Sequence, residues 1–365
     1  MKKFVFFLLA ASLILGGCVE SGTTEIKKAE HLKPIFYPPL PQRPRIQYLT
    51  GITSERDIGS AGKDSFRTYL LGDEGKIKSL KRPFSIAHEK GRIWVADGTL
   101  DRVIILDLAK GRFTELSDPA GIGTPREPTG VWITPDGYKF IADAARGQVL
   151  AYNERDEFVR AYGKDGEFRP IDVAVDGKRL YVADIRDNEI EVLDRDTGAV
   201  LKTFGAHDKF EAGGLYKPAH LDLASDGTLF VTDTLHFRIA EFDKQGNFVS
   251  GIGKIGDRPG EFSRPKGIGV DRAKRLYTTD AGNEVIQLFD GQTGQLLLFF
   301  AQKGEPRSAS YLPADVHVDY DNIAYFQKYA DPKFKIKYLI YVANQAGRKL
   351  LKVYAFGTWT GPTDK

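Results

Sequence analysis

The chain has 365 residues, 42% hydrophobic and 28% charged, a globular composition and not that of a disordered chain. Its single Cys excludes an intrachain disulfide, a Cys-rich zinc site and a c-type haem attachment motif. The formal net charge of +3 is a near balance that gives no reason to expect nucleic acid as a partner.

Lys2 and Lys3 precede an apolar run from Phe4 to Leu15. The run is too short to span a bilayer, which takes about 20 residues, and has the layout of a secretory signal peptide. It ends in Leu15-Gly16-Gly17-Cys18, which resembles the bacterial lipobox. The resemblance implies cleavage after a 1–17 signal peptide and lipidation of the Cys18 thiol, and so a membrane partner reached through acyl chains. Val19 follows, with no Asp to resemble an inner-membrane retention signal. An exported protein, lipid-anchored in the bacterial envelope at the outer membrane, is therefore expected.

Residues 18–44 read as the lipidated Cys and a tether. Ser21-Gly22-Thr23-Thr24 is polar, and Pro34, Pro38, Pro39, Pro41 and Pro44 follow closely, a composition that favours extended, semi-rigid chain. Arg45–Ile52 is strand-like but has no neighbouring strand in sequence, and 53–80 reads as a loop.

From residue 81 one pattern recurs. A β-rich strand ends in Asp97, Asp143, Asp184, Asp233, Asp280 and Asn344, at spacings of 46, 41, 49, 47 and 64 residues. Upstream of each, a Pro opens another strand: Pro83, Pro128, Pro170, Pro218, Pro265 and Pro313. Turns such as Asp136-Gly137 and Asp226-Gly227 join the two, a strong hairpin signal. A third and a fourth strand follow in most copies. Four antiparallel strands per repeat of this length are the blades of a β-propeller. The 38 Gly, 23 Phe and 16 Tyr fit its many turns and blade faces.

The pattern Pro-x-Gly-Ile-x-Val-Asp, then Leu-Tyr-x-x-Asp, then Val-Ile-x-Leu-Phe-Asp, clearest over residues 265–290, resembles the NHL repeat; the resemblance extends over about 81–356. It implies an all-β fold, a six-bladed propeller of four-stranded antiparallel blades over 45–365. The sixth copy lacks a fourth strand, so Arg45–Ile52 is predicted to close the ring as its outer strand. The insertion Asn322–Lys337, with Tyr325, Phe326, Tyr329 and Phe334, is expected to project from blade six, as a docking surface or a self-packed flap.

Antiparallel pairing puts the Pro positions and the Asp ends on one rim of the disc. The second residue after each Pro is Ser85, Gly130, Asp172, His220, Gly267 or Asp315, and the fourth is Ala87, Trp132, Ala174, Asp222, Gly269 or His317. These positions face the axis and are usually small. The acids and imidazoles Asp172, His220, Asp222, Asp315 and His317 are thus the candidate tunnel ligand-binding group, suited to a divalent cation or a polar ligand, or else a hydrogen-bonded tunnel lining. The repeated Asp ring is read as structural, because catalysis needs groups whose pKa values differ. His31 and His207 read as loop residues, His88 lies away from the acid-rich rim, and His236 follows Asp233 on it. Trp132 reads as inter-blade packing.

No phosphate loop, nucleophile elbow or zinc helix is present, and no cofactor is evident. The leading expectation is a non-catalytic, monomeric propeller lipoprotein that binds a protein or an extracytoplasmic polymer, with NHL-like propellers serving as interaction modules. The alternative, implied by resemblance to six-bladed lactonases and an amidating lyase, is a metal-dependent hydrolase or lyase. Its metal would sit at Asp172, His220 and Asp315, with His317 or Asp222 as base.

Overall fold

The computed structural model describes residues 33–59, 78–164, 168–206, 210–305 and 307–363. The signal peptide, Cys18, His31 and His207 lie outside the described residues. Six antiparallel sheets follow one another along the chain. Blade 1 is β3–β6 (Pro83–Glu89, Arg92–Asp97, Arg102–Asp107, Arg112–Glu115). Blade 2 is β7–β10 (Pro128–Ile133, Lys139–Asp143, Gln148–Tyr152, Phe158–Tyr162). Blade 3 is β11–β14 (Pro170–Asp176, Arg179–Asp184, Glu189–Asp194, Val200–Phe204). Blade 4 is β15–β18 (Pro218–Leu223, Leu229–Asp233, Arg238–Phe242, Phe248–Ile252), and blade 5 is β19–β22 (Pro265–Val270, Arg275–Asp280, Val285–Asp290, Leu296–Phe300).

Both faces of each blade are buried, so its second strand reads as a continuous apolar run split by the two-residue period. In β4, Ile93 and Val95 pack towards blade 6 while Trp94 and Ala96 pack towards blade 2. In β12, Leu180 and Val182 face one neighbour, Tyr181 and Ala183 the other. Gly137 and Gly227 each take φ of +82 in the turns that return the chain, a conformation that costs a side-chain-bearing residue.

Blade 6 has five strands in the order β1-β2-β25-β24-β23. β23 (Pro313–Asp319), β24 (Phe334–Asn344) and β25 (Leu351–Trp359) are joined by β2 (Ile46–Ile52), which pairs with β25 from Ile46↔Phe356 to Ile52↔Leu351. The ring is closed by the N-terminal strand, as predicted. The additional strand is β1 (Ile35–Tyr37), paired with β2. The tether expected over 18–44 therefore does not run through its Pro-rich end. Phe36 is buried against Trp359 and Phe334, at ring distances of 5.1 and 6.0 Å, and this packing fixes the segment to the blade.

The insertion Asn322–Lys337 also differs from a projecting loop. It forms one short helix, α1 (Ile323–Phe326), and a 3₁₀ turn, and its last four residues already belong to β24. Phe326 and Phe334 are buried in the core shared with blade 1, and the Tyr325 hydroxyl donates to the Ile58 carbonyl at 2.9 Å. The insertion is a self-packed flap.

Candidate functional site

The innermost strand of every blade has a register shift just after its Pro, which cannot donate to the ladder. The shift turns the second following residue to the axis. There the side chains join neighbouring blades. Asp172 accepts the Leu221 N–H at 3.1 Å, Asp315 accepts the Ile86 N–H at 2.8 Å, and the Ser85 hydroxyl accepts the Val131 N–H at 3.2 Å. Glycines make the approach possible: a Cβ on Gly267 would stand 2.3 Å from the Asp315 Cα, and one on Gly130 would stand 2.3 Å from Asp172 Oδ1.

Three of the five expected residues meet at this level. His220 Nδ1 lies 3.1 Å from Asp172 Oδ2 and 3.9 Å from Asp315 Oδ1, and all three residues are buried. Burial opposes the imidazolium, but the two carboxylates outweigh it and raise the His220 pKa. Burial pushes the Asp315 carboxyl up to about 6, with Asp172 adding to the shift and His220 opposing it. This acid–imidazole–acid group joins the innermost strands of blades 3, 4 and 6.

The other two residues occupy the next level. Asp222 accepts the Val270 and Leu223 N–H groups, both at 2.7 Å, and burial pushes its pKa up to about 7. His317 Nε2 is 2.7 Å from His88 Nδ1, across the seam between blades 6 and 1. His88 Nε2 in turn faces Asp319 Oδ1 at 3.2 Å and Asp321 Oδ2 at 3.5 Å. Asp319 is fully buried and accepts from Asn322 Nδ2 and the Tyr341 hydroxyl, so it is the fixed acceptor at the end of this row. It accepts from His88 Nε2–H, and in that tautomer His88 Nδ1 accepts from His317 Nε2–H and His317 Nδ1 keeps its lone pair. Burial and the neighbouring His88 hold His317 neutral, with a pKa well below the usual imidazole range. Sequence position alone places His88 at the far end of its strand and gives no sign of this partnership.

Among the described residues, the ligand atoms of His88, Asp319 and Asp321 lie within 4.8 Å of one another and could hold a cation. Asp319 is already saturated by four other donors, two of them the backbone N–H groups of Asp321 and Asn322. Of the expected cation ligands, Asp172 Oδ2 accepts the Leu221 N–H and faces His220, and both Asp315 oxygens accept backbone N–H groups.

The Asp ring is structural. Asp97, Asp143, Asp184, Asp233 and Asp280 are fully buried, and each accepts a backbone N–H from the loop that leads into the first strand of its blade. His236 is held there by Asp233 at 2.7 Å, not at the axis. Trp132 packs between blades 2 and 3, as expected. A surface groove of about 580 Å³ lies on the outer strands of blades 1 and 2, and its Arg92 is paired with Asp156.

Five four-stranded blades and a five-stranded sixth, closed by an N-terminal strand, make this chain a six-bladed β-propeller whose repeats are similar to the NHL repeat. The family model described as a 6-bladed beta-propeller matches residues 217–357. Protein SUPPRESSOR OF QUENCHING 1, chloroplastic, of Arabidopsis thaliana is 25% identical over 294 residues, which are 65% of this chain and 27% of that protein. The human NHL repeat-containing protein 3 is 29% identical over 103 residues, 26% of this chain and 29% of that protein. The matched segments are thus less than a third of the length of either curated relative. Among solved structures, a Bacteroides thetaiotaomicron protein of unknown function is similar with a TM-score of 0.57 at 16% identity, over 85% of this chain and 75% of that one. Virginiamycin B lyase from Staphylococcus aureus is similar with a TM-score of 0.50 at 15% identity, over 76% and 85%. At these identities the likeness shows the fold alone.

Proposed function

We propose that this chain is a lipid-anchored extracytoplasmic scaffold that binds a protein or a polymer of the envelope on its Pro-led rim. One observation carries the binding reading: the axial acids and imidazoles are taken up by neighbouring blades. Asp172, Asp222 and Asp315 each accept a backbone N–H from the next blade, so they hold the ring together and leave the rim loops as the presented surface. The anchor is supported by Leu15-Gly16-Gly17-Cys18 after an apolar run, and an outer-membrane location by the absence of Asp after Cys18.

The test uses the full-length protein in its own membranes. A photo-crosslinker at Arg169, on the rim, is expected to capture a discrete partner, and one at Arg112, on the opposite face, is not. Equal capture from both faces, or none from the rim, overturns the reading. A fatty-acid label is expected on the wild type and lost in Cys18→Ser; a label that persists overturns the anchor.

A second reading is favoured by one specific arrangement. Asp222, with its pKa near 7, and neutral His317, backed by His88 and Asp319, both belong to the second axial level, and burial shifts their proton affinities in opposite directions. Such a pair would serve a hydrolase or lyase, with His317 Nδ1 as base and protonated Asp222 as acid. A lactone panel tests it: turnover is expected to fall about a hundredfold or more in His317→Gln. Turnover unchanged in that variant would sink the enzymatic reading.

A further inference from the structure

In an Asp-Gly step the backbone amide can turn on the preceding side chain, because glycine has no Cβ to keep its nitrogen from the aspartate Cγ. Five such steps lie among the described residues: Asp97-Gly98, Asp136-Gly137, Asp176-Gly177, Asp226-Gly227 and Asp290-Gly291. The attack needs a free carboxyl and a free glycine N–H, since a partner on either group must first be given up. Four of the five steps are held at both groups. Asp97 accepts the Arg82 N–H at 3.0 Å, and Gly98 N–H donates to the Arg82 carbonyl at 3.1 Å. Asp136 is paired with Arg195 at 3.0 Å, and Gly137 N–H donates to the Thr134 carbonyl at 2.8 Å. Asp226 accepts the Thr228 N–H at 3.0 Å, and Gly227 N–H donates to the Ala224 carbonyl at 2.8 Å. Asp290 accepts the Thr293 N–H at 2.9 Å, and Gly291 N–H donates to the Lys274 carbonyl at 2.9 Å.

Asp176-Gly177 is the exception. It closes the hairpin between β11 and β12, whose last pair is Asp176↔Arg179, so Gly177 and Lys178 are the whole turn. Among the described residues no donor reaches the Asp176 carboxylate, and the Gly177 N–H meets no acceptor. Residues 176–179 are all exposed, Gly177 has a φ of +57, and the place its Cβ would take has no atom within 4 Å. The turn thus leaves the amide and the carboxyl open to each other and to water.

We propose that Asp176 is a site of spontaneous modification, at which the chain rearranges through a succinimide to isoaspartate. The Gly177 nitrogen forms a bond to Asp176 Cγ, and its proton leaves with the carboxyl hydroxyl as water. Water then adds to the main-chain carbonyl of Asp176 and breaks the original peptide C–N bond. The chain now runs through Cβ and Cγ, and the former main-chain carbonyl is a carboxylate. Water is the only co-reactant, and it is lost in the first step and regained in the second. The product lengthens a two-residue turn by one backbone atom, so the contacts it breaks are the Asp176↔Arg179 pair and the Arg195 N–H bond to the Lys178 carbonyl at 2.7 Å. The proposal is independent of the scaffold reading.

The full-length protein in neutral detergent is incubated at neutral pH for several weeks. Its peptides are then analysed by mass spectrometry with electron-driven fragmentation, which separates isoaspartyl from aspartyl chains. Isoaspartate at Asp176 is expected to exceed that at Asp97, Asp136, Asp226 or Asp290 by about tenfold or more, since those steps must first break a hydrogen bond at each group. In denaturant, where the turns are gone, the five steps are expected to react alike. Asp176→Glu, with an exposed side chain that would have to close a larger ring, is expected to fold as the wild type does and to lose the signal. No isoaspartate at Asp176 in the folded protein, equal levels at the five steps, or a preference for Asp176 that persists in denaturant overturns the proposal.

Discussion

His88 Nδ1 and His317 Nε2 stand 2.7 Å apart across the seam where the first and last blades meet. His317 is kept neutral there by burial and by the adjacent imidazole. A folded-state pKa below the unfolded value of about 6.5 contributes stability that is present above that pH and lost as pH falls. In thermal or denaturant unfolding, the stability difference between wild type and His317→Gln is expected to shrink from pH 7.5 to pH 5. A difference that grows on acidification would contradict a neutral, seam-buried imidazole.

Asp222 should behave with the opposite sign. Its folded pKa of about 7 is above the unfolded value, so its contribution is full below about pH 4 and is lost as pH rises through 7. The stability of wild type relative to Asp222→Asn is expected to fall between pH 4.5 and pH 8, with a slope of at most about 1.4 kcal/mol per pH unit. Paired unfolding curves check it, and a flat difference would show that the carboxyl titrates as if solvated.

Gly267 tests how closely blades 5 and 6 approach. Its added Cβ would meet the Asp315 Cα at 2.3 Å and the Asp315 carbonyl carbon at 2.8 Å, both backbone and unable to swing away. Gly267→Ala is expected to destabilise by about 1–3 kcal/mol in urea unfolding. Gly91→Ala has no such contact and serves as the comparison, its own cost arising from a φ of +83.

Lys139 is a fully buried cation, paired with Asp156 at 2.5 Å and near Glu89 at 3.7 Å. Lys139→Ala removes a fully buried side chain from the partly buried Asp156 and Glu89, which keep Arg92, and is expected to cost about 2–4 kcal/mol. Arg102→Ala removes an exposed pair with Glu115 and is expected to cost less than about 1 kcal/mol. Similar losses in the two variants would refute the distinction.

The blades were readable because each repeats a Pro, an Asp end and a turn at fixed offsets, and because the two-residue period survives in strands buried on both faces. The closing strand Ile46–Ile52 was readable from a strand-like segment without a partner. β1 was not: Ile35-Phe36-Tyr37 is three residues among prolines, and what fixes it is Trp359 and Phe334 at the other end of the chain. The axial residues followed from their offset after Pro, but their division into two levels did not. Offset also concealed His88, which lies five residues after Pro83 whereas His317 lies four after Pro313.

The closure of the ring also sets a schedule. Ile46 pairs with Phe356, which lies 310 positions further along and must be made before the pair can form. At ~5–20 residues per second, β2 waits on the order of 15–60 s for its partner. During that interval blade 1 has no neighbour on one side and β2 is an unpaired edge of the kind that seeds association between chains. Under the export proposed above this delay is useful, because a ring that cannot close early stays threadable until its last strand has been delivered.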